Sequence, residues 1–131
     1  MVKQKKNLEE TVSELEPIAV EEAVYEDNVR SVLEEIKKSD GVIGYILRNT
    51  TSATIDLNDP TKVLDYATLS SSTFEASEQL SEMFDLGKIK NITVHGKDTN
   101  TLHVNIDENN ISIFMEKDVD AKKILERLHT Q

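Results

Sequence analysis

Two histidines, His95 and His103, fall in the most strongly patterned stretch of this chain. Imidazole ligates zinc and serves as a general base, so two of them on adjacent strands would start a metal site or a catalytic pair. A zinc site needs further strong donors, and the neighbouring residues are Asn91, Thr93, Thr101 and Asn105, with Glu116 farther across. The expectation is therefore no metal site. Asp56, Asp59 and Asp65 form another acidic candidate, but Asp59 stands directly before Pro60 and reads as a helix cap. Asp56 and Asp65 fit a solvated loop and helix. Ser70, Ser71 and Ser72 lie in a helical stretch with no histidine or nucleophile elbow expected nearby. The glycines at 41, 44, 87 and 96 make no phosphate-cradling loop, and there is no HExxH motif. There are no cysteines, which removes thiol catalysis, Cys-based zinc sites and disulfides, and suits a reducing, cytoplasmic setting. These residues predict neither enzymatic activity nor a cofactor.

The elements that would position such residues are clearest between Gly87 and Glu116. The clusters GKDTN and DENN divide this stretch into three alternating apolar and polar runs, the pattern of antiparallel hairpins. A first turn around Lys97–Asn100 pairs Val94 with Leu102 and Ile92 with Val104. A second around Asp107–Asn110 pairs Ile106 with Ile111, Val104 with Ile113 and Leu102 with Met115. Both registers place Ile92, Val94, Leu102, Val104, Ile106, Ile111, Ile113 and Met115 on one face. The other face, with His95 and His103, is expected to be polar and partly covered.

Upstream, Val29, Val32, Leu33 and Ile36 have helical spacing over 26–39, and Asp40-Gly41 ends that helix. Residues 42–47, VIGYIL, are apolar on both alternating sets and belong inside a sheet. Ala53, Ile55 and Leu57 alternate with polar residues, as in a half-buried edge strand. The stretch from Val63 to Leu86, capped at Gly87, reads either as two helical pieces kinked at the capping box Ser72-Thr73-Phe74-Glu75 or as one helix continuous through its Ser- and Ala-rich middle, and the continuous helix is the expectation. Asp118 is the expected cap of a final helix whose Ala121, Ile124, Leu125 and Leu128 face the core. Clustered strands without βαβ spacing indicate an α+β fold, a five-stranded antiparallel sheet with helices on both faces.

The 131 residues carry a net charge of −10. Residues 9–35 hold ten acids against Arg30 alone, whereas the 96 residues after them hold 15 acids and 11 bases. Residues 1–25 thus read as an acidic leader, flexible or partly helical, ahead of a domain over 26–131. The acidity and the absence of a basic aromatic patch argue against nucleic acid, and no apolar run is long enough for a membrane span.

Four passages resemble the roadblock/dynein light chain family: SVLEEIKKSDGVIGYILRN (31–49), ATLSSSTFEASEQLSEM (67–83), the meander beginning GKIKNITVHG, and DVDAKKILERL (118–128). The resemblance runs from Val29 to Leu128 and implies a roadblock/profilin-like architecture with strand order 2-1-5-4-3. It differs from the family in its Arg48-Asn49-Thr50-Thr51 turn, in serines replacing many alanines of the second helix, and in the leader. It implies a non-enzymatic module that dimerises by packing second helices and pairing third strands, and that regulates or scaffolds a small Ras-like GTPase. On this reading the chain forms a homodimer. The candidate interface residues are Ala67, Ser70, Ser71, Phe74 and Ser77 on the helix and Ile89, Asn91, Thr93 and His95 on the edge strand. Small residues permit close helix approach, and an unprotected edge strand recruits a partner. The alternative is a ligand-sensing regulatory domain of profilin- or PAS-like architecture, for which the few aromatic residues offer little pocket lining.

Overall fold

Val29, Leu33 and Ile36 project from one stripe of a helix over residues 28–37, α1, and all three are buried. The computed structural model describes residues 28–129, so the expected leader and its boundary with the domain lie outside the described residues. Gly41, at φ 83°, turns the chain from α1 into β1 (Val42–Arg48). Asn49 shapes the next turn, its Oδ1 accepting the backbone N–H groups of Thr51 and Ser52. After it, β2 (Ala53–Leu57) returns antiparallel to β1. Gly44 faces β2 so closely that a Cβ there would lie 2.2 Å from the Asp56 carbonyl oxygen and 2.7 Å from Leu57 Cα. Any larger residue would push the two strands apart.

Asp59 caps a 3₁₀ turn (Pro60–Lys62), accepting from the Thr61 N–H, and that turn runs into α2 (Val63–Phe84). The Ser-rich middle does not interrupt α2, which is continuous as its sequence led us to expect. Its end differs from expectation. Asp85 takes the left-handed conformation at φ 52° and caps the helix, with Gly87 two residues beyond. Three strands follow: β3 (Asn91–His95), β4 (Thr99–Ile106) and β5 (Asn109–Glu116). The last helix, α3 (Ala121–His129), begins later than expected. Asp120, not Asp118, supplies the capping carboxylate, accepting from the Lys122 N–H at 3.0 Å.

The sheet has the order β2-β1-β5-β4-β3, antiparallel throughout, with α1 and α3 on one face and α2 on the other. The α1/α3 face is the principal core. Tyr45, Leu47, Leu102, Val104, Ile111, Ile113 and Met115 pack there against Val29, Leu33, Ile36, Ala121, Ile124 and Leu128. Lys37 bonds Asp56 and Tyr45 donates to Glu34, joining α1 to the β1–β2 side of the sheet. The lysine holds the Asp56 carboxyl below the ordinary range, while burial and then Glu34 push the Tyr45 phenol up. Arg127 bonds Ser39 at 2.6 Å and ties α3 to the end of α1.

Both hairpin registers differ from the expected ones. Strands β4 and β5 close through a two-residue turn, with Asp107 left-handed at φ 54°, so Ile106 pairs with Asn109 and Leu102 with Ile113. That displacement of two residues leaves every side chain on its expected face. Strands β3 and β4 close with Gly96 donating to the Thr99 carbonyl, pairing Thr93 with Leu102 and Ile92 with His103. This displacement of one residue reverses β3: Ile92 and Val94 point to the α2 side, and Asn91, Thr93 and His95 to the α1/α3 side.

Candidate interaction surface

The residues of α2 that meet the sheet are Tyr66, Ser70, Phe74 and Ser77, spaced as one helical stripe. Tyr66 stacks on Phe114 with ring centroids 4.4 Å apart, and Phe74 meets His103 edge-on at 5.7 Å. Between these rings runs a continuous polar chain. Ser70 Oγ lies 2.6 Å from Ser112 Oγ, Ser112 Oγ 2.8 Å from His103 Nδ1, and His103 Nε2 2.8 Å from Thr101 Oγ1. All four side chains are buried, and His103 is only 1% exposed.

This overturns two expectations. A histidine does lie close to the serines of α2, reached through Ser112, and the polar face of the meander is covered. The arrangement nevertheless contains no carboxylate to orient the imidazole, and Ser112 is fully buried beneath α2. Its physical role is adhesion, since each hydroxyl and each ring nitrogen has a partner in a region where an unpartnered one would cost about 1–3 kcal/mol. Burial lowers the His103 pKa to about 4, so the ring is neutral at pH 7, one nitrogen donating and the other accepting. Because the folded pKa lies below the unfolded value near 6.5, the unfolded chain takes up the proton first. The contribution is intact above pH 6.5 and is lost as pH falls toward 4, amounting to about 3 kcal/mol by then. An NMR titration of the His103 Cε1–H resonance should give a midpoint near 4, and a midpoint at 6 or above would contradict the buried arrangement.

His95 pairs with Asn100 and lies exposed on the α1/α3 side, so the two histidines occupy opposite faces and do not converge on one ion. Among the described residues no three His, Cys, Asp or Glu side chains converge on a metal position.

The expected interface residues separate into two groups. Ser70, Phe74 and Ser77 are buried against this chain's own sheet, so the small-residue stripe closes α2 onto β4 and β5. Ala67 is half-buried, and Ser71 is exposed and accepts from Arg48 at 3.1 Å. On the edge, Ile89 is half-buried while Asn91, Thr93 and His95 are exposed. The backbone of that edge has a definite polarity. Hydrogen bonds Gly96 N–H to Thr99 O and Asn105 N–H to Lys90 O fix residues 90, 92, 94 and 96 as those that exchange bonds with β4. By antiparallel alternation, the N–H and C=O groups of Asn91, Thr93 and His95 point away from the sheet.

The exposed apolar side chains were not singled out from the sequence. Among the described residues the large ones are Leu64 (76% exposed), Met83 (73%), Phe84 (62%), Leu86, Leu80, Ile55 and Val94. The first five lie on α2 or just beyond it. Ile55 pairs with Ile46, itself opposite Ser112, and Val94 pairs with Thr101, so both belong to the α2 side. All seven therefore share one side of the molecule. Glutamates stand between them on α2, although Leu69, Ala76, Leu80 and Met83 do recur at helical spacing.

No family model matches the chain, and no curated relative matches it. Solved structures do. The fold is similar to a roadblock/LC7 domain from Streptomyces avermitilis, at 12% identity and TM-score 0.60 over 76% of this chain and 84% of that one. Myxococcus xanthus MglB aligns at 9% identity and TM-score 0.64, covering 78% of this chain and 86% of the other. An MglB described in a tetrameric arrangement aligns at 15% identity and TM-score 0.58, over 77% and 79% respectively. At these identities the likeness establishes the fold, a roadblock/LC7 architecture with sheet order 2-1-5-4-3. None of the described helices is long and apolar enough to cross a membrane.

Proposed function

We propose that this chain with the roadblock/LC7 fold is a non-enzymatic, cytoplasmic homodimeric module that regulates or scaffolds a small Ras-like GTPase. The observation that carries the reading is the open edge of β3 beside a side of the molecule that gathers the exposed apolar residues. Asn91, Thr93 and His95 offer unpaired backbone groups to a second β3, and Leu80, Met83 and Val94 offer apolar surface next to them. An exposed edge with adjacent apolar surface gains both hydrogen bonds and hydrophobic burial when a second copy joins it. Ala67, Ser71 and Ile89 flank that contact, while Ser70 and Phe74 support it from beneath by fixing α2, with Ser77 enclosed beside them. The described tetrameric arrangement of an MglB is consistent with self-association as a property this fold accommodates.

The GTPase is the partner class that the sequence resemblance implies. The alternative, a ligand-sensing domain, is disfavoured by the use of the aromatic residues: Tyr66, Phe74 and Phe114 fill the layer between α2 and the sheet instead of lining a cavity. The test is binding of the full chain to small Ras-like GTPases of its own organism, loaded in turn with GDP and a non-hydrolysable GTP analogue. The expected result is saturable binding that differs between the two nucleotide states. Absence of binding in both states, with dimeric protein, would remove the GTPase and leave the scaffold reading.

A further inference from the structure

Between the C-terminal half of α2 and the β4–β5 turn runs an open groove of about 390 Å³. One wall carries Glu78 and Glu82, four residues apart on the same flank of α2, and the other carries Asp107 and Glu108. Lys88 is the cation of this group, and its Nζ donates to the Asp107 carbonyl oxygen at 3.2 Å. Four carboxylates against one ammonium leave the groove strongly negative.

Ser77 adds a second, independent feature. It is 6% exposed and lines the groove, yet its hydroxyl has no hydrogen-bond partner among the described residues. Its neighbours in the same layer, Ser70 and Ser112, are both bonded. Among the described residues no buried side-chain nitrogen or oxygen lacks a partner, so in this largely enclosed residue the Ser77 Oγ itself is accessible from the groove, placed to accept from, or donate to, an incoming group. An apolar rim continues from the groove in Met83, Phe84 and Leu86, all well exposed.

We propose that this groove seats an arginine side chain from a basic segment of a partner protein, with the guanidinium donating to Ser77 Oγ and to the Glu78 and Glu82 carboxylates. Arginine suits this site because its planar fork carries five donors and matches several acceptors at once. The segment's apolar residues would lie along Phe84 and Leu86. The proposal rests on the reading of the chain as a docking module, but its test requires neither a GTPase nor a dimer.

The ¹⁵N-labelled full chain is titrated with the peptide acetyl-Gly-Arg-Gly-amide and with its citrulline counterpart, which keeps the shape and lacks the charge. The arginine peptide should shift the amides of Ser77, Glu78, Glu82 and Glu108, with an effect that weakens as salt rises. The citrulline peptide should bind at least ~tenfold more weakly. Ser77→Ala should lower the arginine peptide's affinity about three- to tenfold, while leaving the urea midpoint unchanged because no internal hydrogen bond is lost. Equal response to the two peptides, or unchanged affinity in both Ser77→Ala and Glu82→Gln, would overturn the proposal. The chain's own Lys3, Lys5 and Lys6 are a competing occupant. If replacing them with alanine shifts the same four amides in the absence of peptide, the groove is filled from within and the proposal fails. A monomeric mass in the same sample would count against the dimer alone.

Discussion

His103→Ala should destabilise the domain by about 3–5 kcal/mol, the range for deleting a buried aromatic side chain, whereas His95→Ala should change stability by less than about 0.5 kcal/mol. The difference follows from position. The His103 imidazole contacts Phe74 and Phe114 edge-on and completes the chain from Ser70 to Thr101. Its removal leaves a cavity between α2 and the sheet and strands the hydroxyls of Ser112 and Thr101 without their ring partner. For a domain whose total stability is of order 5–15 kcal/mol, that loss threatens the native state itself. His95 is exposed at the sheet edge and has no such contacts. Urea unfolding of the two variants is the measurement, and similar midpoints for both would contradict the reversed register of β3. His103→Ala should also free α2 first, visible as faster amide exchange in α2 than in β4 and β5.

Thr93→Pro should convert the dimer to a monomer while preserving the fold. The Thr93 N–H points outward, so its loss leaves the β3–β4 ladder whole and removes a donor only from the open edge. The proline ring also projects into the space that a second strand would occupy. A comparable change at Ile92, whose backbone bonds β4, should instead unfold the hairpin. The pair separates edge pairing from simple loss of structure. Circular dichroism confirms the fold in Thr93→Pro, and a variant that remains folded and dimeric would place the contact elsewhere.

Much of this architecture was legible in the residues, and the failures have physical causes. The core positions of α1 and α3 follow from helical spacing at Val29, Leu33 and Ile36 and at Ala121, Ile124 and Leu128, and the inner place of β1 from its doubly apolar run, whereas the strand order was what the family resemblance implied. The β4–β5 displacement was harmless because the side-chain period is two. The β3 displacement was not. Ile92 and Val94 had been assigned to the main core because alternation identifies the side of a strand that avoids water. It does not say whose atoms cover that side. At an edge strand those atoms need not belong to the same domain, and Val94 indeed remains partly exposed beside α2. The helix caps at Asp85 and Asp120 were displaced by two residues because each of those ends offers more than one acid or glycine able to serve.

The small residues of α2 carried a different ambiguity. A stripe of Ser and Ala allows close approach equally to a partner helix and to the chain's own sheet, and Ser112 with His103 settled the matter for Ser70. Neither β5 nor β4 is near α2 in sequence, so spacing could not reveal that network. The apolar side chains that do remain outward, Leu80, Met83 and Phe84, were masked by the glutamates Glu75, Glu78 and Glu82 between them. Those glutamates sit on another flank of the helix, at 100° per residue, and Glu78 and Glu82 form the groove wall described above.

In the proposed dimer the β3 edge and the α2 side form one surface for a second copy of the chain. Sedimentation equilibrium of the full-length protein at micromolar concentration tests it most directly. The expected mass is twice 14.8 kDa, falling to 14.8 kDa in Thr93→Pro. A wild-type chain that stays at 14.8 kDa up to high micromolar concentration would contradict it.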